Sequence, residues 1–185
     1  MKLIVGLGNP GKEYEGTRHN AGAWLVRALA SSFGVVFTWD SKFQGEIARV
    51  QKNGWDFRLL IPATYMNLSG QAIKAAANFY KILPSEILVI HDEIDLPPGE
   101  LKLKIGGGDG GQRGVRNTMA HLGPDFWRLR IGVGHPGIKQ DVADYVLHAP
   151  SKADRALINQ TIDRSIADMD LILDGQTDRF MNQNH

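Results

Sequence analysis

Ile87-Leu88-Val89-Ile90-His91-Asp92 is the stretch that decides the fold. Its unbroken apolar run leaves no face for water, the pattern of a central strand covered on both sides. Such a strand carries His91 and Asp92 to its carboxyl end. Leu3-Ile4-Val5 is a second run of this kind and ends in glycines, so it reads as another buried strand feeding a long glycine-rich loop over residues 6 to 19.

Working outward, Trp24, Leu25, Ala28, Leu29 and Phe33 recur at helical spacing and predict a helix over 21 to 33, capped by Asn20. Residues 44 to 50 and 56 to 61 read as a strand pair around the turn-forming Asn53-Gly54. Leu68, Ala72, Ala76 and Phe79 predict a helix over 69 to 80 with Ser69 as its cap, and Pro84 punctuates its end. Leu101, Leu103 and Ile105 alternate with Lys102 and Lys104, so a half-buried strand would hold both lysines on its wet face. A glycine run at 106 to 111 leads into a helix over 112 to 121. Leu129, Ile131 and Val133 then mark a strand with Arg128 and Arg130 on its opposite face. Ser151 and Asp154 form a capping box for a helix striped by Ile158, Ile162, Ile166, Met169 and Leu173 and stopped by Gly175. Residues 176 to 185 read as a frayed tail. With no repeat, low-complexity tract or linker, the expectation is a single α/β domain over 1–185, a twisted mixed β-sheet covered by helices on both faces.

The 185 residues fit one domain with a substantial core. The chain has no cysteine, which excludes disulfides, thiolate metal sites and a cysteine nucleophile, and suits a reducing compartment. The first apolar run is too short for a signal peptide and no later run approaches a membrane span, so a soluble cytoplasmic protein is expected. Lys and Arg number 21 against 20 Asp and Glu, a net charge of +1, so any RNA site must be a local patch.

In open α/β sheets ligands collect beyond the carboxyl ends of the strands, and Asn9, Asn67 and Asp92 fall at such ends. His19 closes the loop that Asn9 begins. An imidazole to deprotonate water, a carboxylate to orient it and two amides to polarise a carbonyl are sufficient for hydrolysis without a metal. The plain alternative makes the asparagines loop or cap residues and Asp92 a turn former. Gly6-Leu7-Gly8-Asn9-Pro10-Gly11 also matches a dinucleotide fingerprint, a weak match because Pro10 lacks an amide donor and no helix start follows. Gly106-Gly107-Gly108-Asp109-Gly110-Gly111 lacks the Lys-Ser/Thr of a nucleotide-hydrolysing P-loop and reads as a mobile segment flanking a groove. His91-Asp92-Glu93-Ile94-Asp95 resembles a metal cluster, but ligands so close in sequence rarely converge on one ion. There is no GxSxG elbow for serine catalysis. Lys102, Lys104, Arg128 and Arg130 are candidates for salt-sensitive contacts to RNA phosphates, against a solvated strand face.

Five ordered segments, VGLGNPGKEYEGTRHNAG at 5–22, PATYMNLSG at 62–70, HDEIDLPPG at 91–99, GGGDGG at 106–111 and RLRIGVGHPG at 128–137, together resemble the bacterial peptidyl-tRNA hydrolase family over nearly the whole chain. The resemblance implies a monomeric, cofactor-free enzyme of translation and ribosome rescue. It would hydrolyse the ester between an N-blocked peptide and the terminal adenosine of tRNA, with no membrane or obligate protein partner. By that resemblance His19 is the general base, Asp92 its orienting partner, and Asn9 and Asn67 hold the peptide and the scissile carbonyl. Met66 lines the peptide groove and Tyr14 the active-site wall. Lys104 and Arg130 grip the 5′ phosphate of tRNA beside Lys102. One departure stands out: where the family has His-Gly-Gly-His-Asn, this chain has Asp109-Gly110-Gly111-Gln112-Arg113. The family asparagine's role cannot pass to Arg113, whose guanidinium only donates and carries a fixed charge, so Arg113 is expected to contact RNA phosphate or the peptide carbonyl. The alternatives are a non-catalytic RNA-binding relative and a dinucleotide-binding oxidoreductase.

Overall fold

The computed structural model describes residues 1–185. The strands are β1 (Leu3–Gly6), β2 (Thr38–Asp40), β3 (Gly45–Lys52), β4 (Trp55–Pro62), β5 (Ile87–Glu93), β6 (Leu101–Ile105) and β7 (Trp127–Gly132). They form one sheet in the order β2-β3-β4-β1-β5-β7-β6. β4, β1, β5 and β7 run parallel, while β2, β3 and β6 pair antiparallel at the two edges. The helices are α1 (Ala21–Phe33), α2 (Ser69–Tyr80), α3 (Arg113–Leu122), α4 (Val142–Val146), α5 (Lys152–Ala167), α6 (Met169–Leu173) and α7 (Thr177–Asn184). The mixed sheet covered on both faces is the architecture expected from the two apolar runs.

Alternation along β5 divides the core. Leu88 and Ile90 pack under α1, α5, α6 and α7, with Leu25, Leu29, Ile158, Ile162, Met169 and Phe180. Ile87 and Val89 pack under α2 and α3, with Ile73, Ala76, Ala77 and Val115. Parallel strands buried on both faces need continuous apolar runs, which is why β1 and β5 were legible. The Asn53-Gly54 turn joins β3 to β4, both residues taking positive φ of 54° and 82°, as a tight hairpin requires.

Several local expectations need correction. Residues 176–185 are not frayed: α7 buries Phe180 completely, and the N–H of Leu103 on β6 donates to His185 Nε2 at 2.9 Å. A short polar segment with one well-placed aromatic docks on an existing core, and polarity alone misread it. The stripe ending at Leu173 is two helices, α5 and α6, separated at Asp168, whose carboxylate accepts from Asn184 of α7. Ser69 is inside α2 and donates to Met66 O, and Asn20 makes no cap hydrogen bond because its side chain is used elsewhere. α3 starts at Arg113, with Gln112 as its cap. Short β2 and α4 carried no readable pattern.

Candidate active site

The carboxyl ends of β4, β1, β5 and β7 lie along one edge of the sheet, and the candidate residues leave from these ends. A 3₁₀ turn, Arg18–Asn20, runs into α1 and buries Arg18, His19 and Asn20. Gly22 permits the approach: a Cβ there would stand 2.1 Å from the Ile90 carbonyl oxygen. The helix start is thereby pressed onto β5, bringing His19 to Asp92. The loop after β1 is fixed by Asn20, which accepts from the Asn9 N–H at 2.9 Å and donates to the Asn9 carbonyl at 3.0 Å. The Asn9 side-chain oxygen accepts from the Met66 N–H at 2.7 Å, tying the β1 and β4 ends together and leaving its NH₂ to donate elsewhere. Because α1 begins only at Ala21, the glycines at 6–11 face no helix N-terminus, unlike a dinucleotide loop.

His19 Nδ1 lies 2.9 Å from Asp92 Oδ2, with 8% and 2% of the two residues exposed. A carboxylate accepts only, so neutral His19 carries its proton on Nδ1 and keeps the Nε2 lone pair free. Burial pulls the His19 pKa down, but the charge and hydrogen bond of Asp92 more than offset it against a further lowering by Arg113, and the net shift is upward. The second oxygen of Asp92 accepts from Gln112 Nε2 at 2.9 Å. Gln112 Oε1 in turn accepts from the Val115 N–H at 2.9 Å, capping α3.

These groups line a cleft of about 760 Å³. Asn9, His19, Met66, Asn67, Asp92 and Arg113 all reach it. Asn67 and Arg113 are exposed, and Arg113 makes no ion pair. Tyr14 does not line the cleft: it belongs to a turn whose carbonyl accepts from the N–H and hydroxyl of Thr17, and the aromatic wall is Tyr65 instead. The far wall is α4 with Leu147. Arg18 holds that wall, donating to the carbonyls of Tyr145 and His148 at 2.8 and 3.2 Å and stacking on the Tyr145 ring at 3.7 Å. Tyr65 and the α4 wall were not singled out from sequence, and Gln112 and Glu93 were given no role in the cleft, since contacts across the sheet edge leave no spacing signal.

Lys102, Lys104 and Arg130 stand apart from the cleft, on the α2–α3 face of the sheet. In register Lys102 lies beside Arg130 and Lys104 beside Arg128. Like charges directly opposed across a ladder are unfavourable without an anion. Lys102 is exposed and Lys104 and Arg130 half-buried, but Arg128 is fully buried and stacks on Phe126, so it lies beneath the patch rather than on its surface. Burial and the charges of Arg130 and Arg128 hold the Lys104 pKa below its usual value. His91, beside Arg130 across β5 and β7, is buried on this face, and burial holds its pKa at about 4. Glu93 joins the two regions, lining the cleft and lying 3.9 Å from Arg130 Nη1.

No helix is long and apolar enough to cross a membrane. A protein-family model described as peptidyl-tRNA hydrolase matches residues 3–185. The chain is 54% identical over 180 residues to a Pasteurella multocida peptidyl-tRNA hydrolase, covering 96% of this chain and 93% of that one. It is 55% identical over 174 residues to the Haemophilus influenzae protein of the same name, covering 93% and 90% of the two chains. A crystal structure of peptidyl-tRNA hydrolase from Acinetobacter baumannii superposes with a TM-score of 0.97 at 48% identity, covering 99% of this chain and 93% of that one. With the family model matching residues 3–185 and relatives more than half identical over nearly the whole length, the chain belongs to the peptidyl-tRNA hydrolase family.

Proposed function

We propose that this chain hydrolyses the ester joining an N-blocked peptide, or an N-acyl amino acid, to the terminal adenosine of tRNA, releasing the peptide and a reusable tRNA from stalled translation. The observation that carries the reading is the buried 2.9 Å contact of His19 with Asp92 beside the two cleft amides. In the proposed reaction, Nε2 of His19 takes a proton from water as its oxygen attacks the ester carbonyl. Asp92 stabilises the resulting imidazolium, and the NH₂ groups of Asn9 and Asn67 donate to the developing oxyanion. When the tetrahedral intermediate collapses, the ester C–O bond breaks and the imidazolium returns the proton to the ribose oxygen. Met66 lines the peptide groove. Lys104 and Arg130 take the 5′ phosphate of tRNA with Lys102 alongside, and exposed Arg113 offers donors to an RNA phosphate or the peptide carbonyl. The reaction needs no cofactor or metal, and the setting is a monomer in the cytoplasm.

The test is single-turnover release of an N-acetylated amino acid from charged tRNA with EDTA present, comparing the native chain with His19→Ala. Release by the native chain and its loss in the variant support the reading. Binding of tRNA without release by either protein would favour a non-catalytic RNA-binding relative.

A further inference from the structure

We infer that Gln112 is a positioning residue for the hydrolytic step, clamping the second oxygen of Asp92 so that His19 keeps one orientation and one tautomer. The inference rests on the reading of His19 as general base. Asp92 is 2% exposed, and its two oxygens go to different partners: Oδ2 to His19 and Oδ1 to Gln112. A carboxylate held at one oxygen can pivot about its Cβ–Cγ bond and carry the imidazole with it; held at both, it cannot.

The amide orientation of Gln112 follows from its neighbours. The Val115 N–H can only donate, so the end facing it must be the carbonyl oxygen, and the end facing the Asp92 carboxylate must then be the NH₂. A flipped amide would set donor against donor and acceptor against acceptor. Gln112 is 6% exposed, and the start of α3 leaves it little room to move. A Cβ on Gly114 would lie 2.6 Å from Met66 Sδ and 3.0 Å from Gln112 Oε1. The side chain thus links the cap of α3 to the carboxylate that orients the base.

Gln112 stands where the family pattern has the second histidine of His-Gly-Gly-His-Asn. An amide supplies its donor at every pH, so this position adds no ionisation to the dyad. The other charged groups around the cleft are Arg113 and Arg116 of α3, Glu93 of β5, and His135 and Lys139 beyond β7.

Gln112→Glu separates the two functions of the side chain. It keeps an oxygen acceptor for the Val115 N–H but replaces the donor to Asp92 by a carboxyl that serves only while protonated. Two adjoining carboxyls share a proton and separate their ionisations. The kcat/KM profile of Gln112→Glu is therefore expected to gain an ionisation that the native profile lacks, with activity falling at least about tenfold on the alkaline side of it. Gln112→Leu is expected to lower kcat by about tenfold or more at every pH while KM stays within about threefold. A Gln112→Glu profile superimposable on the native one would overturn the inference, even if the melting temperature fell. So would a Gln112→Leu enzyme that loses stability but keeps kcat. A native chain that releases no acyl group would defeat the reading of the reaction itself, a separate failure visible before any variant is made.

Discussion

The two faces of β5 carry two polar clusters that differ in how their buried atoms are paired. On the α1 face both oxygens of Asp92 have partners, His19 and Gln112. On the α2–α3 face, His91 Nε2, Arg128 Nε and Nη1 and Arg130 Nε have no partner within the protein, four of the six such buried side-chain atoms in the chain. An unpaired buried polar group costs about 1–3 kcal/mol, more if charged. The paired cluster has its geometry before any ligand arrives, which is what proton transfer needs. The unpaired cluster gathers positive charge that is met within the protein by one carboxylate, Glu93, 3.9 Å from Arg130 Nη1. In the proposed function these two clusters take catalysis and RNA affinity respectively, back to back across one strand with Glu93 between them.

The sharpest way to break this division is at His19. His19→Ala is expected to lower single-turnover hydrolysis by about 10²–10⁴-fold while leaving tRNA affinity nearly unchanged. A comparable loss of affinity would erase the distinction between the faces.

Stability against pH separates the two histidines. The folded pKa of His91 lies at about 4 because burial disfavours its charge, so between about 6.5 and 4 the unfolded chain takes a proton that the native chain refuses. His91 thereby removes stability as pH falls through that window, on the order of 3 kcal/mol when complete. His19 has the opposite sign: its folded pKa is raised, so its contribution is fully present below about 6.5 and is lost as pH rises through the folded value. Denaturant unfolding of His91→Gln between pH 4 and 7 should show a shallower acid slope than the native chain, and parallel curves would contradict the assignment.

Asn67 has an exposed side chain in the cleft, and removing one donor to an oxyanion costs about 10²-fold in kcat. Asn67→Ala should therefore reduce rate far more than RNA affinity in a tRNA titration. The smallest effect is expected at the patch: Lys104→Ala should weaken tRNA binding by about tenfold at low salt and reduce the slope of log affinity against log salt by about one. An unchanged slope would show that Lys104 meets no phosphate.

How far the sequence could be read follows from where each signal resides. β1 and β5 were legible because burial on both faces forces contiguous apolar residues, and the α1 stripe because one face packs on that sheet. α7 was misread because its docking depends on a single residue, Phe180, within a polar stretch. His19 and Asp92 were legible as residue types at the ends of elements, but their contact spans 73 positions and depends on Gly22 letting α1 touch β5. Gln112 could not be ranked from sequence, since an amide acquires its importance only from the two partners that fix it. The burial of Arg128 was equally hidden, because alternation assigns it a face without saying whether α3 and the glycine segment cover that face.

The most direct test is a single-turnover titration with N-acetylated aminoacyl-tRNA that yields the maximal rate and the half-saturating concentration together, run on His19→Ala and Lys104→Ala beside the native chain. The account predicts that the first variant loses rate at unchanged half-saturation, and that the second keeps its rate while half-saturation rises and becomes less salt-dependent. Loss of both quantities together in either variant would contradict the separation of chemistry and RNA binding across β5.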